Sequence, residues 1–176
     1  EDYLDVKWSQ TFEDGIKNTS VVEPTRILAR WERRSDRGLG YDLGYSRSGI
    51  HYNPGIGFEM IDDYAVIRGG IKYGWLPGES ASLYSHSPEL RCMYMTYVDD
   101  GSLMSIYNDV GWSFLTKSQW QMKLTMGFNI ENLRDSLEIL EDDVFISPAE
   151  YKFVNFMGIV ATPMTKALFI MLMTEA

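Results

Sequence analysis

Paired carboxylates are the first residues in this sequence with the means to do chemistry, because a glycosidic bond is cleaved by two Asp or Glu side chains set on either side of it. Three groups qualify by type: Asp62 with Asp63, Asp99 with Asp100, and Glu141 to Asp143. Each falls between apolar runs, in a stretch that reads as turn or loop, where clustered carboxylates are ordinarily solvated. Neighbours on an extended chain point to opposite faces, so an adjacent pair cannot address one substrate from a strand. The two histidines, His51 and His86, lie far apart without Cys or carboxylate partners at zinc-ligand spacing, so no metal site is expected. Cys92 is the single cysteine and has no His with Asp or Asn pattern around it; it reads as a small apolar wall residue. Gly78-Glu79-Ser80 supplies only the first half of a nucleophile elbow.

The glycines at 38, 40, 44, 49, 55 and 57 are irregularly spaced, and none is followed directly by the Lys-Ser or Lys-Thr pair of a phosphate-binding loop. Glycines of this kind mark bends and close backbone approach. Asn53-Pro54-Gly55 reads as a turn, with Pro54 fixing its φ and Gly55 free to adopt a positive one. No catalytic set and no cofactor site emerges, and an enzymatic role is not expected of these residues.

Charge and hydropathy narrow the classes further. A formal charge of −9 and a pI near 4.7 argue against nucleic acid as a partner, since phosphate binding needs clustered Lys and Arg. No run approaches the ~18 apolar residues of a membrane-spanning helix, and the mean hydropathy is −0.21. A transmembrane barrel is untouched by that test, because lipid-facing and lumen-facing residues alternate along each strand and the average is weak.

Period two is the pattern that must be sought, and it is plain. Between 120 and 131, Trp120, Met122, Leu124, Met126, Phe128 and Ile130 alternate with Gln121, Lys123, Thr125, Gly127, Asn129 and Glu131. In the preceding run, Met104, Ile106, Val110, Trp112 and Phe114 alternate with Ser105, Tyr107, Asp109, Gly111 and Ser113, with Asn108 alone interrupting the apolar face. A short polar turn, Leu115 to Gln119, joins the two. A helix would space its apolar residues by three and four, so a hairpin is predicted. Residues 64–75 repeat the theme: Ala65, Ile67, Gly69, Ile71, Tyr73 and Trp75 oppose Arg68, Gly70, Lys72 and Gly74.

Further strands are expected at 3–12, 25–33, 39–47, 89–98, 150–161 and 166–175, giving nine. The fold class is thus all-β: an antiparallel up-and-down β-barrel, or a segment of one, in a single domain over 1–176. Connections at 34–38, 99–101, 115–119 and 162–165 read as tight, and those at 13–24, 48–63, 76–88 and 132–149 as long. Outer-membrane barrels keep short turns on the periplasmic side and long loops outside. Up-and-down order sorts the connections that way, except that 76–88 and 99–101 have the wrong length for their side. Trp31, Trp75, Trp112 and Trp120 all fall at the same end, the expected periplasmic one, as an aromatic girdle would place them. Met104, Ile106, Val110, Phe114, Met122, Leu124, Met126 and Phe128 are the expected lipid-facing set.

Several pieces carry a family resemblance: Trp31-Glu32-Arg33-Arg34, Gly38-Leu39-Gly40-Tyr41, Tyr45-Ser46-Arg47-Ser48-Gly49, Tyr52-Asn53-Pro54-Gly55-Ile56-Gly57-Phe58, Asp63-Tyr64 and Tyr73-Gly74-Trp75, with Pro148-Ala149-Glu150-Tyr151 later. In order and spacing over 31–75 they resemble the C-terminal region of a large, poorly characterised group of bacterial outer-membrane proteins. The N-terminal part of that group resembles a family-nine carbohydrate-binding module. The resemblance implies an outer-membrane location and a barrel with a structural, channel or scaffold role; carbohydrate binding and hydrolase-like labels belong to the N-terminal module.

Two other classes fit the alternation. One is a soluble carbohydrate-binding sandwich or small barrel, with Tyr84, Tyr94, Tyr97 or Tyr107 stacking on sugar rings; the other is a glycoside hydrolase-related domain using loop carboxylates. An odd strand number also predicts an incomplete barrel, because the first and last strands would meet in parallel and open edges are not tolerated in hydrocarbon. Further strands, a preceding domain or a partner chain are expected to complete the sheet.

Overall fold

A strand that alternates apolar and polar side chains presents two surfaces of opposite character, and neighbours with the same phase extend both surfaces into a sheet. The computed structural model describes residues 1–12, 22–54, 63–140 and 144–176, and it shows that sheet. In chain order the elements are β1 (Asp2–Gln10), β2 (Thr25–Arg33), β3 (Gly38–Ser48), β4 (Tyr64–Gly74), β5 (Leu83–Tyr97), β6 (Leu103–Thr116), β7 (Gln121–Asn132), β8 (Leu137–Leu140), β9 (Val144–Ile146), β10 (Glu150–Ala161) and β11 (Met171–Glu175). Nine form one antiparallel sheet in sequential order, β1 through β7 followed by β10 and β11; β8 and β9 make a separate hairpin inside the connection from β7 to β10. The described residues contain no helix.

Register is continuous across the sheet. Trp31 of β2 stands opposite Leu4 of β1 and Leu43 of β3, and Leu43 opposite Gly69 of β4. Cys92 of β5, Asn108 of β6, Phe128 of β7 and Val154 of β10 complete the row. A one-residue slip anywhere would exchange the faces beyond that point. One-residue shifts are confined to the two ends of the β5–β6 ladder, between Leu83 and Ser85 and between Met95 and Thr96.

No pairing joins β1 to β11, so the sheet is open among the described residues, and its two edge strands run in the same direction. The polar face is the more enclosed one, with Glu32, Ser48, Tyr64, Ser105 and Asn129 all buried on it. The apolar face stays exposed, as expected for the outside of a coiled single layer.

The connections fall at two ends. At one, called here the turn end, lie 34–37, 75–82, 117–120 and 162–170; at the other, the loop end, lie 11–24, 49–63, 98–102 and 133–149. Two expected lengths are corrected. The connection read as 76–88 shrinks because β5 begins at Leu83, and the one read as 162–165 lengthens because β11 begins only at Met171. Pro88 hid the start of β5: a proline cannot donate to a ladder, and the β4–β5 ladder is interrupted there, between the Lys72 to Glu89 pair and an isolated Trp75 to His86 bridge. The first strand ends at Gln10 rather than at 12. The tight connection at 98–102 remains at the loop end, as the sequence predicts.

Candidate membrane-facing surface

Seven of the eight residues expected to face lipid share one face by register. Val110 is opposite Met126, Phe114 opposite Met122, and Ile106 opposite Ile130, while Phe128 pairs with Val154 and Leu124 with Gly158 of β10. None of the eight is buried, and Leu124 keeps 61% of its surface exposed. Met104 is passed over by the second β5–β6 bulge, between the Ser105 and Leu103 pairs, so the register fixes the face of the other seven only. The same face continues to the other edge through Ile71, Ile67, Leu43, Leu4, Val6 and Trp8, where Leu4 is 74% exposed. Fully covering one such side chain contributes about 1.5–3 kcal/mol. Leaving the whole face in water would therefore forfeit more than the about 5–15 kcal/mol that separates a typical folded domain from its unfolded chain.

Aromatic rings gather at the turn end of this face. Trp31 meets Tyr41 edge-on at 5.1 Å, and Tyr73 lies 4.4 Å from Trp75. Trp75 stacks on His86 at 5.2 Å, His86 lies 5.9 Å from Trp112, and Trp112 stacks on Phe114 at 5.5 Å. The Trp112 indole N–H donates to Nδ1 of His86 at 3.3 Å. Trp120 precedes β7, and its carbonyl accepts from the amide of Thr116. All four tryptophans lie toward the turn ends of their strands and are between 42% and 47% exposed. His86 joins them, although sequence reasoning weighed it only as a metal ligand; its place in the belt follows from the register, which composition does not show. Trp8 is at the loop end of the same face.

The opposite face is charged and polar from β2 to β7 and turns apolar toward the last edge, where Met157, Ile159, Met171 and Met173 share it. Glu32 accepts from Arg30 at 2.6 Å and also pairs with Arg34. Glu89 bridges Arg91 at 3.1 Å and also pairs with Lys123, two strands away. Asn129 donates to Asn155 at 2.8 Å, and both Ser105 and Tyr107 donate to Glu131. A cavity of about 430 Å³ at the turn end is lined by Arg30, Glu32, Asp42, Lys72, Glu89 and Arg91 among others.

At the loop end Arg134 fastens the 98–102 turn. It donates to Asp99 at 3.0 Å, to the Ser102 hydroxyl at 2.6 Å and also to Asp100, with its guanidinium 3.4 Å over the Tyr97 ring. The Ser102 amide donates to Asp100 at 2.8 Å. That bond chiefly, with the Ser102 hydroxyl and the Arg134 charge behind it, holds the Asp100 carboxyl below the usual aspartate range. The carboxylate bonds made by Arg134, the one to Asp99 first, hold the guanidinium above its ordinary value.

The residues weighed for chemistry do not converge. Asp99 and Asp100 are both taken up by Arg134. His51 sits at the loop end, 3.9 Å from Glu23, while His86 is in the belt at the turn end. Cys92 is exposed on the apolar face. Of the sugar-stacking candidates, Tyr94 faces outward beside Ile67 and Ile106, whereas Tyr97 and Tyr107 lie on the polar wall. Gly55 to Asp62, and Glu141 to Asp143, lie outside the described residues. Among the described residues no cluster of His, Cys, Asp and Glu has the makings of a metal site. Neither a family model, nor a curated protein, nor a solved structure matches this chain.

Proposed function

We propose that this chain forms part of the wall of a bacterial outer-membrane β-barrel, with its apolar face in lipid and its charged face toward the lumen. One observation carries the reading: a predominantly apolar face across nine strands is left exposed and carries a cluster of aromatic rings toward its turn end. A soluble sandwich would cover that face with a second sheet, and the described residues offer only the β8–β9 hairpin. The strands are long enough: β3 and β4 have 11 residues, β7 and β10 have 12, and a tilted membrane strand needs about 9–11. Open edges are costly in hydrocarbon, so further strands or a partner chain complete the sheet. The resemblance over residues 31–75 supports the same location and a structural, channel or scaffold role, with carbohydrate binding left to an N-terminal module.

The test is solution behaviour. The protein should be monodisperse only in detergent micelles or lipid nanodiscs, by size-exclusion chromatography with light scattering. A monodisperse species in plain buffer would sink the membrane assignment.

A further inference from the structure

Several long polar side chains of the inner face on β4 to β6 and β10 lie across a glycine of the adjacent strand. Gly40 pairs with Lys72 and Gly44 with Arg68, Gly111 with Glu89, and Gly127 with both Asp109 and Asn155. A methyl group placed on Gly44 would lie 2.7 Å from Arg68 Nε and 3.0 Å from its Cγ; one on Gly40 would lie 3.1 Å from Lys72 Cγ and 2.9 Å from its Cε. Side chains in contact from Cγ to their far ends are lying flat. Glu89 is the clearest case: its Cγ and Oε1 pass 3.0 Å and 2.9 Å from the Cβ position of Gly111 on β6, and the carboxylate goes on to Lys123 of β7.

On the reading that this sheet is a barrel wall, we infer that its lumen is an open aqueous passage for small hydrophilic solutes rather than a space filled by its own side chains. A filled barrel interior needs bulky residues that project and interlock. From β3 to β7, glycines remove bulk at the wall and the charged side chains beside them are pressed against it. Those charges are also paired within the wall, Glu32 with two arginines and Glu89 with Arg91 and Lys123. No uncompensated band of one sign is left among these groups to repel either class of ion.

The inference is tested on the full-length protein in lipid vesicles, in a Cys92→Ser background, with a charged thiol reagent that does not enter lipid. Met93→Cys, between Arg68 and Tyr107 on the inner face, and Ser113→Cys, opposite Ser87, should be labelled rapidly. Val110→Cys and Leu124→Cys on the outer face should be protected. Protection at all four positions would overturn the open passage while leaving the membrane wall intact. Labelling of the outer positions as fast as the inner ones would overturn both. Gly111→Leu supplies an independent readout, because it must lift Glu89 off the wall: single-channel conductance in planar bilayers should fall, while Gly69→Leu on the outer face, beside Leu43 and Cys92, should leave conductance unchanged. No conductance from the parent protein, or equal losses in the two variants, would count against the passage.

Discussion

Neighbouring residues on β7 lie on opposite faces of the sheet, which makes single substitutions decisive for the membrane proposal. Leu124 projects from the apolar face in the turn-end half of β7, opposite Trp112 and Gly158. Leu124→Arg should destabilise the inserted protein, by less than the about 2–4 kcal/mol of a midplane arginine because Trp112 of the belt is its neighbour, measured by reversible denaturant unfolding in lipid vesicles. Lys123→Arg keeps a cation beside Glu89 on the inner face and should be nearly neutral, so equal costs for the two would show the faces to be misassigned. The outward set on β6 and β7 was legible from alternation because each apolar residue needed only its own strand to be recognised. The recumbent charges were not. Gly111 and Glu89 are remote in sequence, and only the register that sets them side by side shows the glycine as the space in which the carboxylate rests.

Turns and ladders show where element boundaries were readable and where they were not. β7 and β10 appear within a residue of where alternation predicts them. β5 does not, because Pro88 reads as a break, yet it occupies the gap in the β4–β5 ladder where no donor is needed. At the far end of β5 the 98–102 turn owes its shape to the Arg134 clasp. Since the Asp100 carboxyl is held below its ordinary range, its contribution is present above that range and is lost as pH falls through the depressed value. The protection of the Ser102 amide, taken relative to the intrinsic exchange rate at each pH, should therefore be high at neutral pH and fall on acidification below the ordinary aspartate range. Asp100→Asn should remove the acid-dependent part, and an unchanged profile would show that the clasp does not titrate. Arg134→Ala should loosen the turn at every pH while leaving the β6–β7 ladder protected.

For the molecule as a whole, the aromatic belt fixes a depth. Trp31, Trp75, Trp112 and Trp120 share the turn end of the outer face, where amphipathic indoles prefer the headgroup level. Lipids brominated near the headgroup should quench the fluorescence of these residues more than lipids brominated at the chain ends; the reverse order would place the belt in mid-bilayer and displace the boundaries proposed here. The two-faced sheet was readable because one layer between two solvents writes its pattern into every strand. What the lumen does was hidden, since flat and projecting side chains have the same composition.

The open edges bear on self-assembly. Copies inserted in one membrane all point the same way, so the rotation axes that relate them run along the membrane normal. Under any such rotation, β11 or β1 of one copy meets an edge of the next travelling in the same direction. Pairing identical edges head to tail would require an axis that turns one copy upside down. On the membrane reading, the nine-strand sheet of the described residues therefore offers another copy inserted the same way parallel edge pairing alone; an antiparallel neighbour has to come from a different segment or chain.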